Sequence, residues 1–278
     1  MNKKQIIGIL LVQLLLPFLA VKAQPLIADS ADQSFFLRKE TITQIFLHTA
    51  GFGFGYAQGK HITVNQKNIW EVELLNQLSP KEIRSVSPWA GNTKSYVYGK
   101  ENYFFAIRGG IGRDKLLNRK PYWGGIEVRY FYRAGLSMGF VKPVYLDIIN
   151  YTPGYTDYYL TTEQYDPDKH FYDNIYGRAP FLKGFDVIQL RPGIYGKFGF
   201  NFDFGAENDR VKCLEAGAMF DYYPNSIPFI KTESQIYKEG IIIMSYNPAV
   251  DGFFGFYLGF KWGKRFNKNQ ASDMPLTN

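Results

Sequence analysis

The chain has 278 residues, 46% of them hydrophobic and 18% aromatic, with a formal net charge of +7 and one cysteine. A single cysteine excludes an intramolecular disulfide, and beyond the first two dozen residues no apolar run is long enough for a spanning helix. The charge is too mild for a nucleic-acid footprint: without Lys3, Lys4 and Lys22, which lie in a leader, 32 basic residues less three leave 29 against 25 acidic, a net +4.

The leader is MNKKQIIGILLVQLLLPFLAVKAQ. Lys3 and Lys4 precede an apolar run from Ile6 to Leu19, and Val21 and Ala23 occupy the small-residue positions before a cut. This pattern predicts a secretory signal peptide over residues 1–23, too short and too polar in its sequel to be a membrane anchor. Gln24 leaves no cysteine for lipid attachment. Residues 24–42 read as an N-terminal extension, 43–267 as the folded body and 268–278 as a polar tail.

Within the body the period is two. Phe52, Phe54 and Tyr56 alternate with Gly51, Gly53 and Gly55, and Trp70, Val72 and Leu74 alternate with Glu71 and Glu73. Tyr103, Phe105, Ile107 and Ile111 oppose Phe104, Ala106, Arg108 and Gly110. Ile126, Val128, Tyr130, Tyr132, Leu136, Met138 and Phe140 oppose Glu127, Arg129, Arg133, Ser137 and Gly139. Ile194, Phe198, Phe200, Phe202 and Phe204 oppose Tyr195, Lys197, Asn201 and Asp203. Leu214, Phe220 and Tyr222 oppose Cys213, Glu215 and Asp221. In GFFGFYLGFKW (252–262) the bulky side is Phe254, Phe256, Leu258, Phe260 and Trp262, and the small or polar side includes Gly255, Gly259 and Lys261.

A strand alternates its faces, and a soluble sandwich would leave a glycine-rich face in water, a poor use of solvent-facing positions. A membrane barrel turns the bulky side to lipid and the small and polar side to a lumen. The expectation is therefore an all-β, transmembrane antiparallel β-barrel in the outer membrane, with outer-membrane lipid as its surroundings. Eight strands are read at about 45–57, 66–76, 102–112, 122–140, 186–204, 211–223, 239–247 and 252–265. Ten is the alternative count, adding TKSYVYG (93–99) and VYLDIIN (144–150). A soluble periplasmic sandwich is the alternative fold.

The lumen side carries Glu71, Glu73, Glu127, Asp203, Glu215 and Asp221 against Arg108, Arg129, Arg133, Arg191, Lys197 and Lys261. Balanced signs point to paired charges filling a narrow interior, since buried ions need partners, whereas an open pore would favour one sign. Long connections are expected at 77–101 and 141–185. With eight strands so placed, they fall at the same rim as the chain ends, the reverse of the usual arrangement. Arg178, an arginine among aromatics in NIYGRAPF, is the candidate contact for a protein partner.

Other motifs weigh little. GFGFGY (51–56) lacks the spacing and the following helix of a nucleotide loop, and GGIGRDK (109–115) lacks a phosphate loop's lysine–hydroxyl pair. His48, His61 and His170 form no metal pair, and YDPDKHFYD (165–173) departs from calcium-loop spacing and reads as turns. Ser137 with a loop carboxylate, or His48 near a rim, is the nearest approach to a hydrolytic site. No catalytic residue, metal or cofactor is assigned.

The stretches PYWGGIEV (121–128), GFVKPVYLDI (139–148), DPDKHFYDNIYGRAPF (166–181) and YLGFKWGKRFN (257–267) carry a resemblance, joined by LSPKEIRS (78–85) and SYVYGKENYFFAIRGGIG (95–112). The chain resembles a family of uncharacterised outer-membrane β-barrel proteins of Bacteroidota. The resemblance implies the fold and the location, and an accessory role beside assembly or secretion machines of the outer membrane; the long connections, rich in Tyr, Asp and Pro, are the expected docking surface for other envelope proteins. A small-solute pore and an outer-membrane lipid-modifying enzyme are the alternative functions.

Overall fold

The computed structural model describes residues 39–88, 93–119, 125–153, 157–205, 209–224 and 240–266. The stretches expected as a signal peptide (1–23) and a polar tail (268–278) lie outside them. In chain order the strands are β1 (Lys39–His48), β2 (Gly51–Thr63), β3 (Gln66–Gln77), β4 (Arg84–Ser85), β5 (Tyr96–Val97), β6 (Asn102–Asn118) and β7 (Glu127–Pro143). There follow β8 (Tyr145–Tyr151), β9 (Tyr158–Gln164), β10 (Ile175–Arg178), β11 (Gln189–Asp203), β12 (Arg210–Tyr222) and β13 (Gly252–Phe266).

Eight of these close into a barrel in the order β1-β13-β12-β11-β7-β6-β3-β2, every pair antiparallel. Each wall strand pairs with the wall strands before and after it in sequence, and β1 meets β13 from Lys39↔Phe266 to His48↔Tyr257. Closure satisfies every ladder, as hydrocarbon requires.

The alternation sorts the side chains. Phe254 and Phe256 are 62% and 63% exposed on the outer surface, while Lys261 on the same strand is 1% exposed inside. The inner glycines make room for rings from other strands. A Cβ on Gly139 would stand 2.7 Å from the Phe104 ring, and one on Gly110 would collide with the Tyr195 hydroxyl.

Eight strands are present, but two expected positions differ. The segment expected as one strand at 45–57 is a hairpin: β1 ends at His48, Thr49 and Ala50 turn, and β2 begins at Gly51. The bulky outward side shifts from odd positions (Ile45, Leu47) to even ones (Phe52, Phe54) across that turn. β1 consequently starts at Lys39, inside the stretch read as an extension.

The segment expected as a strand at 239–247 is not in the wall. Ile241, Ile243 and Met244 are buried in one apolar cluster with Phe46, Leu75, Phe104, Phe131, Val141, Met219, Tyr223 and Tyr257. Single bridges, Ile241↔Val250 and Lys100↔Met244, hold the segment there. An unbroken apolar run suits burial on all sides, and a lipid-facing strand would have shown alternation.

These two differences cancel in the count and invert the parity of the connections. Those at 64–65, 119–126 and 204–209 share a rim with Lys39 and Phe266, here called the terminal rim. Those at 49–50, 78–101, 144–188 and 223–251 share the opposite rim, the loop rim. The long connections thus emerge opposite the chain ends, which corrects the expected reversal.

The two segments of the ten-strand alternative lie outside the wall. β5 pairs with β4, and β8 forms a three-stranded sheet in the order β10-β8-β9. Their own apolar cluster joins Tyr96, Val144, Leu146, Ile148, Tyr165 and Ile175. The loop rim therefore carries a packed layer above the barrel.

Candidate functional site: a filled lumen and a loop-rim layer

Strand register brings the lumen charges together in depth order. At mid-barrel Arg133 on β7 reaches Glu71 on β3 (2.7 Å), Asp114 on β6 (3.3 Å) and Glu215 on β12 (3.2 Å). Lys197 on β11 lies 2.6 Å from Glu73, 3.4 Å from Glu71 and 3.8 Å from Glu215. Lys261 donates to Glu215, and the Tyr257 hydroxyl donates to its other oxygen at 2.8 Å. The Tyr195 hydroxyl donates to Glu71 at 3.1 Å and Gln44 donates to Glu73. All of these side chains are buried.

Towards the loop rim, Arg108 pairs with Asp221 and lies 3.7 Å from Glu73. Arg191 is also buried on this side. Towards the terminal rim, Arg129 pairs with Glu127, and Arg265 bonds Asp203 at 2.5 Å.

Sequence reading missed part of this set. Glu40 accepts from Lys67 at 2.6 Å and lies 3.4 Å from Arg265, and Lys67 is 3.5 Å from Asp114. Glu40 lay outside the expected barrel, and Asp114 and Arg265 lay at or beyond the expected strand ends. Lys67 was missed although it has the inward parity of Glu71, the one signal in the sequence that could have found a member of this set. With Glu40, Lys67, Asp114 and Arg265 included, the acids and bases of the lumen remain equal in number.

Such an interior cannot pass solute without breaking ion pairs. Towards the loop rim the paired ions give way to the apolar cluster that holds Ile241 and Met244. Nor does the interior assemble a hydrolytic pair. Ser137 Oγ is 2.6 Å from the Tyr223 hydroxyl, and the His48 ring contacts the Asn76 carbonyl at 3.0 Å. Among the described residues no group of three metal-ligating side chains occurs.

The loop-rim layer is ordered by its own polar contacts. The Asp166 N–H donates to His170 Nδ1 at 2.9 Å, and the His170 Nε2 lies 3.4 Å from Glu163. The Thr161 hydroxyl donates to Glu163 at 2.7 Å and holds that carboxyl below the usual range. YDPDKHFYD is accordingly a turn: the Asp166 carboxylate accepts from the Asp168 N–H at 3.0 Å. Arg178 ends β10, exposed, with its backbone N–H donating to the Lys94 carbonyl at 3.4 Å. Its side chain lines a cavity that also touches Lys94, Tyr103, Lys142 and Tyr145.

No protein-family model and no curated protein sequence matches the chain. Three bacterial structures share its general course. The N-terminal β-barrel domain of Pseudomonas aeruginosa OprF is 9% identical, with 82% of this chain and 97% of that one covered and a TM-score of 0.34. Neisserial surface protein A is 10% identical, covering 83% and 96%, with a TM-score of 0.37. The attachment invasion locus protein Ail of Yersinia pestis is 8% identical, covering 83% and 96%, with a TM-score of 0.32. At such identities the likeness concerns barrel form alone and carries no function across. The closed register, the bulky outer surface and the ionic interior make the chain an eight-stranded antiparallel β-barrel of the outer membrane.

Proposed function

We propose that this protein is a sealed outer-membrane barrel with a structural or accessory role, exerted through the loop-rim layer, which docks other envelope proteins. The observation that supports this reading most is the pairing of a filled lumen with a packed layer at one rim. The protein has little capacity for passage and a built surface for contact. On the usual arrangement of such barrels, short turns face the periplasm and long connections face outward, so the layer is placed on the cell-surface side. Residues 1–23 are proposed as the cleaved signal peptide, and the stretches around PYWGGIEV and DPDKHFYDNIYGRAPF support a place among the Bacteroidota barrels. Arg178 belongs to the proposed contact surface.

β8 and β10 are opposed at Leu146↔Arg178. Joining those two residues through Asn-Gly, a dipeptide suited to a two-residue hairpin, removes the outer part of the layer and leaves the wall register untouched. The shortened protein is expected to keep the heat-resistant migration of a folded barrel while losing proteins that co-purify with the intact one in mild detergent. Undiminished co-purification would count against docking.

The pore alternative has less support, since the ions that would line a channel are consumed in pairs. Folded protein in planar bilayers is expected to give no discrete conductance steps, and reproducible steps would restore that reading.

A further inference from the structure

Lys142 is the one lysine of β7 and faces outward, directly opposite Tyr103 on β6. An outward position would normally be exposed, yet Lys142 is 2% exposed. The chain from Ala179 to Phe185 folds down over the outer surface and covers it. Phe181 packs on Tyr103 (centroids 5.9 Å apart) and Phe105 (6.4 Å). The Lys142 ammonium sits 5.2 Å from the Tyr103 ring centre, 5.0 Å from Phe181 and 5.3 Å from Phe185. Among the described residues no carboxylate pairs with it. Three rings attract a cation but leave its charge uncompensated.

That ammonium lines a cavity of about 240 Å3 together with Lys94, Tyr103, Tyr145, Arg178, Ala179, Pro180 and Phe181. Three cationic residues and no acid line the space. The arrangement is held by backbone: Gly177 passes so close to Lys94 that a Cβ there would lie 2.8 Å from its carbonyl oxygen. Below roughly 300 Å3 a cavity is too small for a drug-sized ligand, so it suits a compact anion.

Its surroundings name the source of that anion. Phe181, Leu182, Phe185 and Val187 are 54%, 77%, 46% and 45% exposed on the covering loop, and Leu190 beside them is 48% exposed. An apolar loop lying on the outer surface of a membrane barrel, next to the rim, stands where hydrocarbon gives way to headgroups. Cations beside such a loop meet phosphate, to which a guanidinium offers a fork of donors and an ammonium a point charge.

We propose that this cavity binds the phosphate of an anionic membrane lipid whose acyl chains lie against the Phe181–Val187 loop. Intact barrel is released, for native mass spectrometry, from micelles containing equal amounts of phosphatidylglycerol and phosphatidylcholine. The expected result is one preferentially retained phosphatidylglycerol. Arg178→Gln with Lys94→Gln, both at exposed positions and safe for folding, should weaken retention about tenfold. Lys142→Met should do so further, while Lys60→Gln at the terminal rim should change nothing. Equal retention of both lipids, or retention insensitive to the Arg178/Lys94 pair, overturns the proposal. Titration with inorganic phosphate separates the sources: displacement of bound lipid supports a shared phosphate site, and tight phosphate binding with no lipid retention assigns the cavity to a soluble ester and overturns the lipid assignment. None of these readings depends on whether the loop-rim layer docks a protein.

Discussion

Glu215→Ala is expected to destabilise the barrel by roughly 3–5 kcal/mol, the cost of stranding buried charge by removing one partner. Glu215 is fully buried and answers Arg133, Lys261, Lys197 and the Tyr257 hydroxyl at once. Removing it leaves those three cations with Glu71, Glu73 and Asp114, whose pairs are already committed. Denaturant unfolding in micelles, followed by tryptophan fluorescence, measures the loss. Glu215→Gln keeps an acceptor for Tyr257 and should fall between wild type and alanine. A change below about 1 kcal/mol, the scale of an exposed ion pair, would mean that water screens the interior and the lumen is not sealed.

Leu258→Arg tests the other side of the wall. Leu258 lies at the middle of β13 and is 53% exposed. On a soluble protein, a substitution at such a surface position stays within about 0.5 kcal/mol. Facing lipid near the midplane, arginine costs roughly 2–4 kcal/mol. The two environments predict different magnitudes for one change, and urea titrations of the barrel refolded into bilayers read it directly. Leu258→Ala serves as the reference for lost side-chain area alone. A neutral Leu258→Arg would remove the membrane assignment.

How far these features were legible depends on the range over which each is encoded. Alternation is local, so the faces of β3, β6, β7, β11, β12 and β13 could be read residue by residue, and the signs of their inner charges came with them. The β1–β2 hairpin was hidden because Thr49 and Ala50 carry none of the Asn-Gly chemistry that marks a two-residue turn. One signal was present: the bulky side changes parity between Leu47 and Phe52, which an uninterrupted strand cannot do. Glu40 was lost with that boundary.

The segment from Gly240 to Val250 misled for a different reason. Its apolar run is compatible with a strand buried on both faces or with a plug, and periodicity alone does not separate them. The cavity around Lys142 was beyond reach altogether. Its parity marked the lysine as outward, but the loop that covers it arrives nearly forty residues later in the chain.

Around the wall, neighbours in space are neighbours in sequence everywhere but one place: the first strand is zipped to the last over ten residue pairs. Until the fifteen residues of β13 arrive, a ribbon of seven strands carries two raw edges, each able to capture a foreign strand. Maturation of this molecule is therefore all-or-nothing at β13, and chains cut within that strand should be the aggregation-prone ones.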